Sequence, residues 1–107
     1  MELDLIQLTL SLRHDDVAVR VYAATMLGWL GSDAEPAVPT LIELLRHADC
    51  RDRRMAALAL GNIGPAASAA IEPLLDLVND DEDDGVREMA AEALELIDPD
   101  CESQEAA

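Results

Sequence analysis

One ten-residue phrase is spelled three times in this chain: "YAATMLGWLG" at 22–31, "MAALALGNIG" at 55–64 and "MAAEALELID" at 89–98. Ala24, Ala57 and Ala91 align, as do Leu27, Leu60 and Leu94, so the copies lie 33 and then 34 residues apart. The flanks keep the same step: "TLIELL" at 40–45 answers "PLLDLV" at 73–78, and Arg20, Arg53 and Arg87 fall in equivalent places. The one extra residue sits in the acidic run "NDDEDDG" at 79–85, where a turn absorbs an insertion at little entropic cost. A fixed period of this length means one supersecondary unit used repeatedly. No single unit buries its own apolar stripe, so copies stack, and about three are needed for stability.

What fills such a stack follows from composition. Half of the 107 residues are hydrophobic, yet Tyr22 and Trp29 are the only aromatics and phenylalanine is absent. Alanine and leucine must therefore form the interior, which suits closely approaching helices. In "PTLIELL", Leu41, Ile42, Leu44 and Leu45 recur at one-face helical spacing, and Met55, Ala56, Leu58, Ala59, Leu60 and Ile63 do likewise. Gly31 and Gly64 follow the last apolar residue, where a left-handed C-terminal cap favours glycine. Ser32 or Asp33 and Pro65 are then expected to open the next helix as caps or first-turn residues. Nothing alternates with period two. The reading is all-α, with six helices near 2–12, 17–30, 34–47, 51–63, 66–78 and 86–97.

The phrases "VRVYAATMLGWLG", "DRRMAALALGNIG" and "VREMAAEALELI" carry a family resemblance. With a proline-bearing helix after them, they resemble HEAT repeats, most closely the short HEAT-like repeats of phycobilisome lyases. The resemblance covers about nine tenths of the chain and implies an α-solenoid of three HEAT-like hairpins, an α-α superhelix. It divides residues 1–98 into repeats near 1–32, 33–65 and 66–98, followed by an acidic 99–107 tail expected to be disordered. The third copy departs from the pattern: Glu95 and Asp98 stand where the glycines stood, which suits a polar terminal repeat.

Charge and cysteines narrow the function classes. The formal charge is −16, and all seven basic residues are arginine. Such a surface repels phosphate backbones, so no nucleic acid is expected as partner. No apolar stretch approaches the roughly 18 residues of a membrane span. The start "MELDLIQLTL" has no basic cluster of the secretory kind, and Cys50 and Cys101 form no paired framework, so a cytoplasmic protein with reduced thiols is expected.

Candidate sites come from what the spine leaves over. The resemblance implies that Arg20, Arg53 and Arg87 form a ladder with turn aspartates, drawn from Asp15 or Asp16, Asp49, and Asp81 or Asp83. It also places the outward side of each second helix on a concave face. By register these residues are Val21, Thr25 and Trp29, then Arg54, Leu58 and Asn62, then Glu88, Glu92 and Leu96. They change chemistry from copy to copy while the spine does not, and a Trp beside an Arg has the composition of a binding hot spot.

"RHADCRDRR" at 46–54 gathers four of the seven arginines, and Asp49 and Asp52 offset them locally. Its Cys50 is expected to have a lowered pKa beside these arginines. "DDEDDG" at 80–85 begins like a calcium loop, but position 12 falls on Ala91, one residue short of Glu92, so a solvated turn is expected rather than a metal site. His14 and His47 are expected to be solvated, and no nucleophile–base set, metal spacing or cofactor motif appears. In the N-terminal helix Leu3, Ile6 and Leu10 are apolar outside the Leu5, Leu8, Leu12 face, an edge suited to self-association. The expectation is a non-enzymatic, cofactor-free module binding a protein partner, with a homodimer through this helix as a further possibility. The alternative implied by resemblance is a bilin lyase-like protein acting on phycobiliprotein chromophores.

Overall fold

The computed structural model describes residues 5–98. Six α-helices run in order: α1 (Leu5–Ser11), α2 (Val17–Leu30), α3 (Val38–Leu44), α4 (Cys50–Ile63), α5 (Ile71–Asp80) and α6 (Asp84–Ile97). They do not form six separate rods. The 3-10 segments Gly31–Ala37 and Gly64–Ala70 join α2 to α3 and α4 to α5, leaving four helical stretches, 5–11, 17–44, 50–80 and 84–97, bent at Gly31, Gly64 and Ala67. The helix expected at 34–47 is therefore half 3-10 and ends at Leu44. That expected at 66–78 is 3-10 to Ala70 and continues to Asp80.

Two local causes make the corners. Gly31 and Gly64 adopt φ 62° with ψ −139° and φ 83° with ψ −148°. This is not the left-handed helical cap expected but an extended region at positive φ that is essentially confined to glycine. The chain then tightens instead of restarting with a cap. Ser32 and Asp33 lie inside the 3-10 turn and cap nothing, α3 begins at Val38 after Ala37, which makes no side-chain cap, and Pro65 occupies the first turn of its 3-10 segment.

The other three helix starts are capped by side chains. Asp16, Asp49 and Asp83 take extended backbone and accept N–H bonds from Ala18 (2.9 Å), Arg51 (2.8 Å) and Val86 (3.0 Å). The residue two before each cap accepts the cap's own N–H: His14 Nδ1 at 3.0 Å, His47 Nδ1 at 3.2 Å and Asp81 Oδ1 at 2.9 Å.

Helices α2, α4 and α6 pack side by side in one layer, and α1, α3 and α5 with the 3-10 corners form the other. The body spans 46 × 28 × 16 Å. Between the layers lie Leu8, Leu12, Leu27, Leu41, Leu45, Leu60 and Leu74, all buried, with alanines filling the gaps. A Cβ built on Gly28 would meet Ala59 Cα at 3.2 Å, and one on Gly61 would meet Ala93 Cα at 2.9 Å. Those two glycines set how closely neighbouring second helices approach. Ala24 and Ala57 of the repeated phrase are buried, whereas Ala91 is exposed, with no neighbouring second helix packed on it among the described residues. No helix among the described residues is long and apolar enough to cross a membrane.

Candidate partner-binding face

The arginines of the repeat are consumed by architecture. Arg20 is buried; its Nε and Nη2 donate to Asp52 at 2.8 and 3.0 Å, while Nη1 donates to the carbonyls of His14 (2.7 Å) and Asp15 (2.9 Å). Arg53 repeats the arrangement, donating to Asp81 at 2.8 and 3.2 Å and to the carbonyls of His47 and Ala48 at 2.9 Å each. Each guanidinium thus ties the turn before its own helix to the next copy. The hydrogen bond to the carboxylate is the main reason both arginines are held above their ordinary pKa. Arg87 keeps only the local half, an ion pair with Asp84 and a bond to the Asp81 carbonyl.

The ladder corrects the expected pairing. Only Asp81 among the expected turn aspartates receives a ladder arginine; Asp16, Asp49 and Asp83 cap helices, and the first bridge uses Asp52, inside α4. Its register-mates are Val19 and Val86, so periodicity alone does not mark it. Asp52 is fully enclosed, with His47 Nδ1 3.2 Å away. His47 is half-buried rather than solvated, and both histidines spend Nδ1 on the turn.

Two clefts, register equivalents of each other, open on the turn edge between copies. The first, of about 320 Å3, is spanned by Arg13 and Glu43 at 3.1 Å. The second, of about 610 Å3, has Arg46 and Asp76 at the same two places without an ion pair between them. The shorter aspartate leaves it wider.

Within 46–54, Arg51 is bound back onto Asp49 at 2.8 Å, and Arg53 and Asp52 belong to the ladder. Arg51, by side-chain and then backbone hydrogen bonding, lowers the Asp49 carboxyl to about 2. Cys50 overturns its expectation: its pKa is raised, first by a hydrogen bond to Asp83 and then by burial. The opposing acid comes from the next copy's helix cap, invisible in the arginine-rich stretch itself. A thiol pushed upward is a poor nucleophile at neutral pH. Asp81 and Asp83 of the 80–85 run likewise have structural tasks, and no group of three or more His, Cys, Asp or Glu among the described residues is arranged to hold a metal.

On the face of the α2, α4 and α6 layer turned away from α1, α3 and α5, the register rows come together. Trp29, Asn62 and Leu96 form one row, all exposed; Trp29 at 79% is the most exposed large hydrophobic residue described. Beside it run Thr25, Leu58 and Glu92, then Val21, Arg54 and Glu88. Arg54, Glu88 and Glu92 are exposed, while Val21, Thr25 and Leu58 are half-buried. The Thr25 hydroxyl is spent on the Val21 carbonyl at 2.9 Å, which leaves its methyl to the surface. Asn62 borders Gly28 and Leu96 borders Gly61, so the row runs directly over both close helix approaches.

The N-terminal edge is only partly described: Leu3 lies outside the described residues, while Ile6 and Leu10 are 69% and 60% exposed. Tyr22, 59% exposed on α2, extends this apolar set and was not distinguished by the repeat, since its register-mates Met55 and Met89 are ordinary packing residues. The expected tail at 99–107 lies outside the described residues.

A family model described as HEAT repeats matches residues 4–95 of the chain. No curated protein matches it.

Proposed function

The chain belongs to the HEAT-repeat family, whose repeats generally mediate protein–protein interaction, and from that premise we propose a non-enzymatic α-solenoid scaffold that binds a partner protein on the α2, α4 and α6 face. Residues 1–98 form its single domain, and its place is the cytoplasm. The observation that carries this reading is Trp29, 79% exposed at the head of a row whose positions differ in every copy. An indole left in water on a rigid layer is a large contact area with little entropy to lose on binding. Arg54 supplies a guanidinium to one side, and Glu88 and Glu92 make the far end acidic, so the favoured partner segment is apolar at one end and basic at the other. A non-catalytic role is supported by the histidines, the thiol and the ladder carboxylates, all of which serve turns and caps.

The test is affinity capture from the native host with mass spectrometry of what is retained. Trp29→Ala combined with Arg54→Glu is expected to abolish capture with helical content unchanged. Capture that survives both changes places the partner elsewhere. The resemblance to phycobilisome-lyase repeats supports a second reading, bilin lyase-like handling of phycobiliprotein chromophores. It is weaker because Arg54 alone on this face offers counter-charge to bilin propionates, and an unchanged bilin absorption spectrum in the presence of pure protein would remove it.

A further inference from the structure

The two ends of the stack are built differently. Within the stack, each copy after the first packs back on its predecessor: Ala59 of α4 lies against Gly28 and Ala93 of α6 against Gly61, with Met55 and Ile63 one turn to either side of Ala59, and in the second copy Glu43 of α3 also reaches Arg13. In the first copy those positions are Tyr22, Met26, Leu30 and Leu10. Met26 and Leu30 are half-buried against the core, and Tyr22 and Leu10 are 59% and 60% exposed. The surface that packs copies together therefore continues, in apolar form, onto the open face of the first copy.

The opposite end is closed. The position of Gly28 and Gly61, where a Cβ has no room, holds exposed Glu95, and Ala91 beside it is exposed as well. Charge follows the same polarity. Residues 1–30 carry four acidic residues and two arginines, a formal −2, whereas residues 71–98 carry eleven acidic residues and one arginine, a formal −10.

We infer that the open face of the first copy is an interface with the same face of a second copy of this chain, a two-fold dimer joined first copy to first copy. Head-to-tail stacking is blocked because Glu95 occupies the space that the incoming helix needs and Val19 stands where the receiving carboxylate Asp52 would be. Contact between acidic ends is opposed by repulsion. The first-copy ends, with far less charge, meet with the least repulsion, and an isologous contact closes at two copies. The inference rests on this end of the stack and not on the Trp29 face, so either can fail alone.

The experiment is light scattering on size-fractionated full-length protein over a dilution series, at low and molar salt. The expected mass is twice the 11.5 kDa of one chain, falling to one chain on dilution and held more firmly at high salt, where repulsion between the acidic bodies is screened. Tyr22→Glu with Leu10→Glu is expected to give one chain's mass with unchanged circular dichroism, and Glu92→Gln with Glu95→Gln to leave the doubled mass intact. A single-chain mass at every concentration and salt overturns the inference. So does a doubled mass that survives the Tyr22 and Leu10 changes, or a mass that grows without closing.

Discussion

Where the second copy sends Glu43 back to Arg13, the first copy has Leu10 and the third has Asp76. Where Gly28 and Gly61 admit a neighbour, the third copy has Glu95. The first and third copies thus share a spine of alanine, leucine and an N-capping aspartate but differ at these positions that touch a neighbour. The lesson is that period and sidedness are separate layers of information. Period specifies helices and core; departures from it specify which surfaces are finished and which are not.

The two ladders sharpen this comparison most strongly. Asp52 is fully buried between Arg20 and His47, and removing it strands a buried guanidinium, which costs about 3–5 kcal/mol. Asp81→Ala, at a more open junction, is expected to cost about 1.5–3 kcal/mol. Urea unfolding of both variants checks the ranking; equal losses would mean that the junctions are equivalent and the comparison empty.

Helix approach gives the next effect. Gly61→Ala puts a methyl 2.9 Å from Ala93 Cα, where backbone must move, and is expected to lower stability by about 1–3 kcal/mol despite better helix propensity. Gly28→Ala, at 3.2 Å, should lose less, and Glu95→Ala, exposed on the far side of α6, should change stability by less than about 0.5 kcal/mol. A large loss at Glu95 would break the picture of a sealed third copy.

The smallest effect is on acid response. The Asp49 carboxyl is lowered to about 2 by Arg51, so its contribution is present above the unfolded-state value near ~3.9 and disappears as pH falls toward 2. Asp49→Asn should therefore be less stable than the parent at neutral pH, the gap narrowing between about pH 4 and 2. A gap independent of pH in thermal melts would show that the cap matters only as a hydrogen-bond acceptor.

Much of the fold is legible in the sequence. The bounds of α2 follow directly from the repeated phrase, and those of α4 and α6 fall within two residues, because alanine, leucine and glycine recur in step with buried positions. The 3-10 corners are not legible: Pro36 and Pro65 look like helix starts, but a single glycine at positive φ with extended ψ turns the chain, which then tightens into 3-10 helix. Asp52 escaped notice because its role is particular to one junction. The direction of the Cys50 shift depends on Asp83, brought in from the next copy's cap. Of the candidate face, the register gave the rows, and the exposure of Trp29 required the structure.

Hydrogen exchange followed by mass spectrometry tests most directly the claim that the copies form one directional stack with an enclosed middle and a sealed acidic end. Helix α4 is covered on both sides by α2 and α6, whereas the far side of α6 faces water at Ala91 and Glu95. The amides of 56–63 should exchange slowest in the chain, and those of 90–97 distinctly faster. Equal or slower exchange in α6 would contradict the account.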